Sequence, residues 1–486
     1  MRLSCLAIGF ILMCLPAWGA TYYIDATGGN DSNSGTATNI AWKTISKVNG
    51  TSFSAGEQIL FKRGETWREQ LIVSSSGSVL SPITLGAYGT GEDPIITGYD
   101  LVNSVEVAIR DYCILITGDN YINIKYLQLR GALKSGLYIN NGEHIQVEKL
   151  TIEKCKEYGI YHRSNPPGAV TGLTIVNCTI QNIGTGPDLE VFTSGGILAV
   201  GVDNVNIKDN IINTTHGPGV RVTAHDIESN IAGTQVLRNS VSGATNSIYL
   251  FRTIAPKVYR NHVFNGRNIG IFIGKGCDGA EVYYNIIHNL THIPGTGGYN
   301  GIDINSAAAG KAYNNTIYKV SGACLVIDEA VQSADNWSIK NNIFHAAENS
   351  DPGTYASTYT MWVSKGVTGT TSDYNCHYFP SPGNEYGIYI AWGGNVYKPD
   401  QWSAFVSSEG QDAHSKNSDP KFVNSAEADF HLQFDSPVIN SGTNVFLYTD
   451  YAGNEVPIDA APDIGAYEYQ GKSPTPNPPS NIRITY

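Results

Sequence analysis

Asp303 and Asp328 stand about one repeat apart in a stretch where a short pattern recurs at a period of about 23 residues. If each repeat adds one layer to a stack, the two residues lie on successive layers, displaced by two positions along the strand. One layer is about 4.8 Å and each residue rises about 3.3 Å, so their Cα atoms fall roughly 8 Å apart. Carboxyl groups roughly 6.5–9.5 Å apart suit inverting hydrolysis of a glycosidic bond: one acid protonates the leaving oxygen while the other activates water. Glu329, next to Asp328, could replace or assist it. The plainer alternative is a set of solvated charges at a strand end.

A basic pair, Arg252 and Lys275, occupies matching slots in two adjacent repeats, and Arg221 and His225 add to it. Such a cluster could neutralise a uronate carboxylate while Lys275 or Arg252 takes the C5 proton in an elimination, with Ca²⁺ as a candidate helper. Surface pairing with Asp226 or Glu228 is the competing reading. Tyr249 and Phe272 share a column with Arg221 and Asp303, and Asn305 shares one with Asp328. Aromatic faces pack on sugar rings and polar groups fix the hydroxyls. The same rings could simply stack down a sheet. His216, His225 and His292 fall in nearby loops, where a histidine is more often a hydrogen-bonding group than a catalyst. No phosphate-binding loop, Ser-His-Asp spacing or nucleotide fingerprint is present.

These residues need a scaffold that turns sequence period into vertical neighbours. One motif reads apolar-x-x-Asn-x-apolar, with Asn210, Asn239, Asn261, Asn285, Asn315 and Asn342 in the fourth place, and Leu127, Leu150 and Cys178 in that slot upstream. A second reads small-apolar-x-apolar, from Gly136-Leu-Tyr-Ile through Gly270-Ile-Phe-Ile and Gly301-Ile-Asp-Ile to Cys324-Leu-Val-Ile. Short alternating runs are strands. A single coil cannot bury its own apolar face, so stacked coils of a parallel β-solenoid are expected. An inward Asn at each corner would satisfy backbone groups and its neighbour one rung away.

The rungs resemble the right-handed parallel β-helix superfamily that includes pectate lyases, polygalacturonases and chondroitinase- or alginate-lyase-like enzymes. The stretch Tyr22-Tyr-Ile-Asp-Ala-Thr-Gly-Gly-Asn-Asp31, Trp42-Lys-Thr-Ile45 and Gly56 to Arg68 is similar to the capping region of such exported proteins. Asp412-Ala-His-Ser415, Asp419-Pro-Lys-Phe422, Ser436-Pro-Val-Ile439 and Asp463-Ile-Gly-Ala-Tyr-Glu468 resemble their usual ending. The likeness covers roughly residues 21 to 470. It implies an all-β fold and a polysaccharide or oligosaccharide ligand, but no particular reaction, since the superfamily holds lyases, hydrolases, epimerases and non-enzymatic proteins. The Asp303/Asp328 pair resembles the aspartate cluster of polygalacturonase-like members, and the Arg252/Lys275 pair that of chondroitinase-B-like lyases. The local signatures of neither are matched.

The chain therefore divides into a leader (1–20), an N-terminal cap with the first rungs (21–120), regular rungs (121–345), an irregular C-terminal region that finishes the solenoid and folds back over it (346–470), and a Pro-rich tail (471–486). Long insertions at Gln181 to Gly195 and Asn289 to Asn300, with others on the opposite edge, would wall a trough. Its floor is the outward column Tyr138, Tyr161, Leu198, Arg221, Tyr249, Phe272, Asp303 and Val326.

The 486 residues carry 31 Lys and Arg against 43 Asp and Glu, a net charge of −12, which argues against nucleic acid or an anionic membrane as partner. Arg2, the apolar run Leu6 to Leu15 and Ala17-Trp-Gly-Ala20 read as a secretory signal, too short to span a membrane. The expected product is secreted and monomeric. Six cysteines remain, Cys113, Cys155, Cys178, Cys277, Cys324 and Cys376, with no metal spacing, and are read as buried single thiols. The metal question stays open: Asn30-Asp-Ser-Asn-Ser-Gly35 could bind Ca²⁺, and Asx-turns explain it equally well. Three functions follow: a glycoside hydrolase using Asp303 and Asp328, a Ca²⁺-assisted lyase using Lys275 and Arg252, or a glycan binder without catalysis.

Overall fold

The computed structural model describes residues 19–165, 170–184, 193–214, 216–224, 229–291, 299–347, 358–380 and 388–471. Among them, three sheets of 13 strands each run the length of the molecule. Consecutive turns of the chain supply one strand to each sheet, and the pairing is parallel, as in Gln128–Arg130 on Thr151–Glu153, except for the last strand of the third sheet. This is a parallel β-solenoid of three faces. The ladders begin at Thr21–Ile24 and reach Ile388–Trp392 on the third sheet and Lys416–Asn417 on the second, so they extend well beyond 121–345 on both sides.

The alternation seen in the sequence sets which side chains go in. On the third sheet, Ile114, Leu137, Ile160, Ile197, Val220, Ile248, Ile271, Ile302, Leu325 and Met361 are rung-to-rung partners and all are buried. Burying each such side chain stabilises the stack by about 1.5–3 kcal/mol, and branched residues suit the pleated surface. His162 breaks the aliphatic pattern: it is fully buried between Ile139 and Ala199, and neither ring nitrogen has a hydrogen-bond partner. The six cysteines are free and buried, five in this core and Cys376 beneath the returning C-terminal segment.

The corner between the first and second sheets carries the Asn column. A residue in the left-handed region (Asp209, Arg238, Arg260, Tyr284, Asn314, Asn341) precedes each Asn and turns the chain. The Asn then closes the corner. Asn239 Oδ1 accepts from the backbone N–H and the amide of Asn210, while its own amide donates to the Ile207 carbonyl and to Asn261 Oδ1. The pattern repeats through Asn285, Asn315 and Asn342 to Asn375, a seventh member. The series ends on Asp412 and Ser415, which bond the Asn375 amide and backbone N–H.

Both ends of the stack are closed. Helix Ile45–Asn49 lies across the first rungs with Ile45 and Val48 buried, and Thr44 caps it by accepting from the Lys47 N–H. Asp31, from the Asx-rich stretch, holds that cap through the N–H groups of Lys43 and Thr44 and the Thr44 hydroxyl. At the other end, Asn395–Tyr397 pairs antiparallel with Ile388–Trp392, and helix Trp402–Glu409 inserts Phe405 into the core. The segment after it returns along the second sheet, where Phe422, Phe430, Leu432, Val438 and Ile464 pack on Ile286, Tyr318 and Ile343. No helix among the described residues is long and apolar enough to cross a membrane.

Candidate functional site

The register of the third sheet places Arg221, Tyr249, Phe272 and Asp303 directly above one another on four consecutive rungs. They face outward because their neighbours in sequence, such as Ile248, Ile271 and Ile302, face the core. Arg221 lies over the Tyr249 ring, its guanidinium 5.4 Å from the centroid, and Tyr249 stacks on Phe272 at 4.5 Å and 13°. Gly274 makes this possible, since a Cβ there would come within 2.5 Å of Phe272 and 2.7 Å of Phe251. Asp303 follows, then Val326, then Trp362.

Asp303 is the buried acid of this face. Only 8% of it is exposed, and burial pushes its carboxyl up to about 6. The negative charge of Asp328 adds to this rise, and a hydrogen bond from Asn300 acts against it. That bond runs from Asn300 Nδ2 to Asp303 Oδ2 at 2.7 Å, and Asn300 Oδ1 accepts from the Ala323 N–H, so the amide is held in one orientation. Asn305 is the rung partner of Asp328, which confirms the two-residue offset between the aspartates and keeps their Cα separation at about 8 Å. Asp328 is half-buried. Its Oδ1 accepts from the Ser364 hydroxyl at 2.7 Å and from the Glu329 N–H at 2.9 Å. The two acids sit in unlike environments: Asp303 is buried with one donor, Asn300, and Asp328 is half-buried with two.

The other expected residues are placed as follows. Asn305 is half-buried and accepts from the Ser306 hydroxyl. Glu329 is exposed, its carboxylate lying over Gly366, where any Cβ would collide with it. Arg252 is buried at the corner that ends its strand, in the left-handed region, with its guanidinium 5.7 Å from the Phe251 centroid. Lys275 is half-buried beyond the end of Ile269–Ile273, and its carbonyl accepts from the Arg252 N–H. The basic pair is therefore brought together, at the sheet edge and off the aromatic column. Among the described residues neither side chain pairs with a carboxylate. His225 and His292 lie outside the described residues, as do Asp226, Glu228 and most of the two insertions expected to wall the trough.

Three residues of this face escaped the sequence reading. Asn300 and Ser364 contact the aspartates from outside the repeat pattern. Trp362, 45% exposed and in ring contact with Tyr359 at 5.4 Å, sits two rungs from Asp303. Its signal was present, because Thr360-Met-Trp-Val363 occupies the small-apolar-x-apolar slot. No group of three or more His, Cys, Asp or Glu among the described residues is arranged to hold a metal.

The family profile described as a right handed beta helix region matches residues 112–299, which fixes the hand of the solenoid. A lacto-N-biosidase from Bifidobacterium longum subsp. longum is 34% identical over 140 residues, 28% of this chain. The match spans only 8% of that protein's length. Among solved structures, XylC in complex with xylose aligns with a TM-score of 0.55 at 12% identity, covering 92% of this chain and 99% of that one. The GH136 lacto-N-biosidase from Eubacterium ramulus aligns at 0.47 and 16% identity, covering 77% of this chain and 66% of that one.

Proposed function

Starting from a right-handed parallel β-helix with an outward column of aromatic and acidic side chains, we propose that this chain is a glycan-cleaving enzyme, a glycoside hydrolase acting outside the cytoplasm. Asp303 is the general acid and Asp328 the general base. The single observation that carries the reading is the buried Asp303 carboxyl, pushed up to about 6 on the same face as a hydrogen-bonded second carboxylate. An acid that keeps its proton near pH 6 can give it to a leaving glycosidic oxygen. Asp328, one rung on, is far enough away to hold a water on the opposite side of the sugar ring. Phe272 and Tyr249 on one side, and Trp362 on the other, provide apolar faces for sugar units flanking the cleaved bond. The local likeness to a lacto-N-biosidase supports hydrolysis over elimination.

The test incubates the protein with a panel of neutral and uronic glycans, with and without Ca²⁺, following reducing ends and double-bond absorbance together. Hydrolysis releases reducing ends without absorbance, and Asp303→Asn lowers kcat by about 10²–10⁴-fold. Unsaturated products that survive Asp303→Asn and vanish in Lys275→Ala would replace this reading with the lyase. Retention on a glycan with no product would leave a binder.

A further inference from the structure

We propose that the glycan cleaved here is acidic, and that Arg252 and Lys275, at the edge of the third sheet, hold an oxyanion on one of its sugar units, a carboxylate or a sulfate ester. This rests on the Asp303 reading and adds the substrate class to it. A guanidinium with nothing to pair with lies at the centre of the site. Arg252 is 8% exposed, and its Nε is buried without an acceptor. Among the described residues its side chain has no hydrogen-bond or carboxylate partner, only the Phe251 ring, with 5.7 Å from the guanidinium to the centroid. A guanidinium does not shed its proton, so burial leaves it charged. A buried charge left unpaired is costly, and an incoming anion removes that cost.

A second cation stands beside it. The Arg252 N–H donates to the Lys275 carbonyl at 2.8 Å, which sets the two residues one rung apart, about 4.8 Å. Lys275 is half-buried and has no ion pair among the described residues. Like charges this close repel, and one anion between them relieves both. Gly276 keeps the approach open, since a Cβ there would meet Asn230 Oδ1 at 2.9 Å and Arg252 Cγ at 3.4 Å. The acids of this edge are committed elsewhere. Asp278 accepts from the Ala308 N–H, and Glu329 lies over Gly366, on the far side of Asp303 from the pair. Arg252 and Lys275 each follow a floor aromatic by three residues, Tyr249 and Phe272, and Asp303 occupies the next rung. From the edge they reach a substituent at the rim of a sugar ring and not the bond being cleaved, so they select the substrate and move no proton. The planar fork of Arg252 takes two oxygens of a carboxylate or sulfate, and Lys275 adds a point charge.

Ligand-observed NMR on the full chain tests it with glucuronate, galacturonate and glucose 6-sulfate, each against its neutral parent sugar. At least one acidic sugar should bind more tightly than its parent by roughly tenfold or more, and whether a uronate or the sulfate does so identifies the anion. Arg252→Met, which keeps the apolar stem, should bring the acidic sugar down to the affinity of its parent, and Lys275→Met should remove part of the preference. Lys340→Met, on the first sheet, should leave it unchanged. Circular dichroism confirms folding of each variant. No bond is cleaved in this measurement, so it fails separately from the hydrolysis assay. The proposal is overturned if no acidic sugar binds more tightly than its parent, if the preference survives Arg252→Met, or if Lys340→Met removes it as well.

Discussion

Replacing Asn261 with Ala removes one link from the buried amide series, and the hydrogen bonds allow its cost to be worked out. Asn261 is fully buried. Its Oδ1 accepts two bonds, from the Asn239 N–H and the Asn239 amide, both 3.0 Å. Its Nδ2 donates to the Val236 carbonyl at 2.9 Å and to Asn285 Oδ1 at 3.0 Å. Alanine leaves two donors of Asn239 without partners in a dry corner. Each orphaned group costs about 1–3 kcal/mol, so the variant should lose about 2–6 kcal/mol. Asn210, at the upper end of the series, provides the internal comparison. Its Oδ1 accepts only from the Cys178 N–H, so Asn210→Ala orphans one donor and should cost about half as much. Denaturant midpoints followed by far-ultraviolet circular dichroism give the ranking, and hydrogen exchange at the Asn239 amide gives the local effect. Equal costs for the two variants, or unchanged protection at Asn239, would refute the argument that the amides act as a connected chain.

Other consequences can be measured directly. Because the charge of Asp328 helps raise the Asp303 carboxyl, Asp328→Asn should lower the Asp303 pKa from about 6, read by NMR titration of the side-chain carboxyl. No movement would remove the coupling between the two acids. Trp362→Ala should raise KM by roughly tenfold with kcat little changed, since stacking on an exposed ring holds substrate and transition state alike; a fall in kcat alone would contradict this. His162, whose pKa burial lowers to about 4 from 6.5, is neutral in the folded chain and protonates in the unfolded chain as pH falls below 6.5. The unfolded state therefore takes up more protons between these values, and stability falls with pH across that window. His162→Leu should remove about 3 kcal/mol of this acid loss by pH 4, and an unchanged pH dependence of the unfolding midpoint would count against it. The six thiols are buried and free, so a thiol reagent should modify them only on unfolding; rapid modification of the folded chain would be inconsistent with their positions.

The stack and its outward column were legible because a period near 23 residues converts directly into vertical neighbours: Arg221, Tyr249, Phe272 and Asp303 align as their slots require. Legibility failed where another residue type fills a slot. Asn375 belongs to the amide series, but its flanking apolar positions hold Ser372 and His377, both buried and both facing Asp412. Polar residues there satisfy one another instead of packing as aliphatics, so the pattern disappears from the letters while persisting in space. Asn300 and Ser364 were invisible for a different reason. Their contacts with the aspartates depend on where a loop and a strand end return, which no repeat period encodes. The basic pair shows a third limit: slot counting brought Arg252 and Lys275 together, but the left-handed corner at Arg252 takes them off the floor.

The closed ends bear on a hazard that any stack of strands carries. Every rung is a template for the next, and nothing within a single turn limits how many can be added. A bare terminal rung would present three unpaired strand edges, ready to receive the first rung of another copy and grow a fibre head to tail. Helix Ile45–Asn49 covers one terminus, and the reversed strand Asn395–Tyr397 with Phe405 covers the other. These few residues lie away from the outward column, yet they cover the edges on which another copy could add.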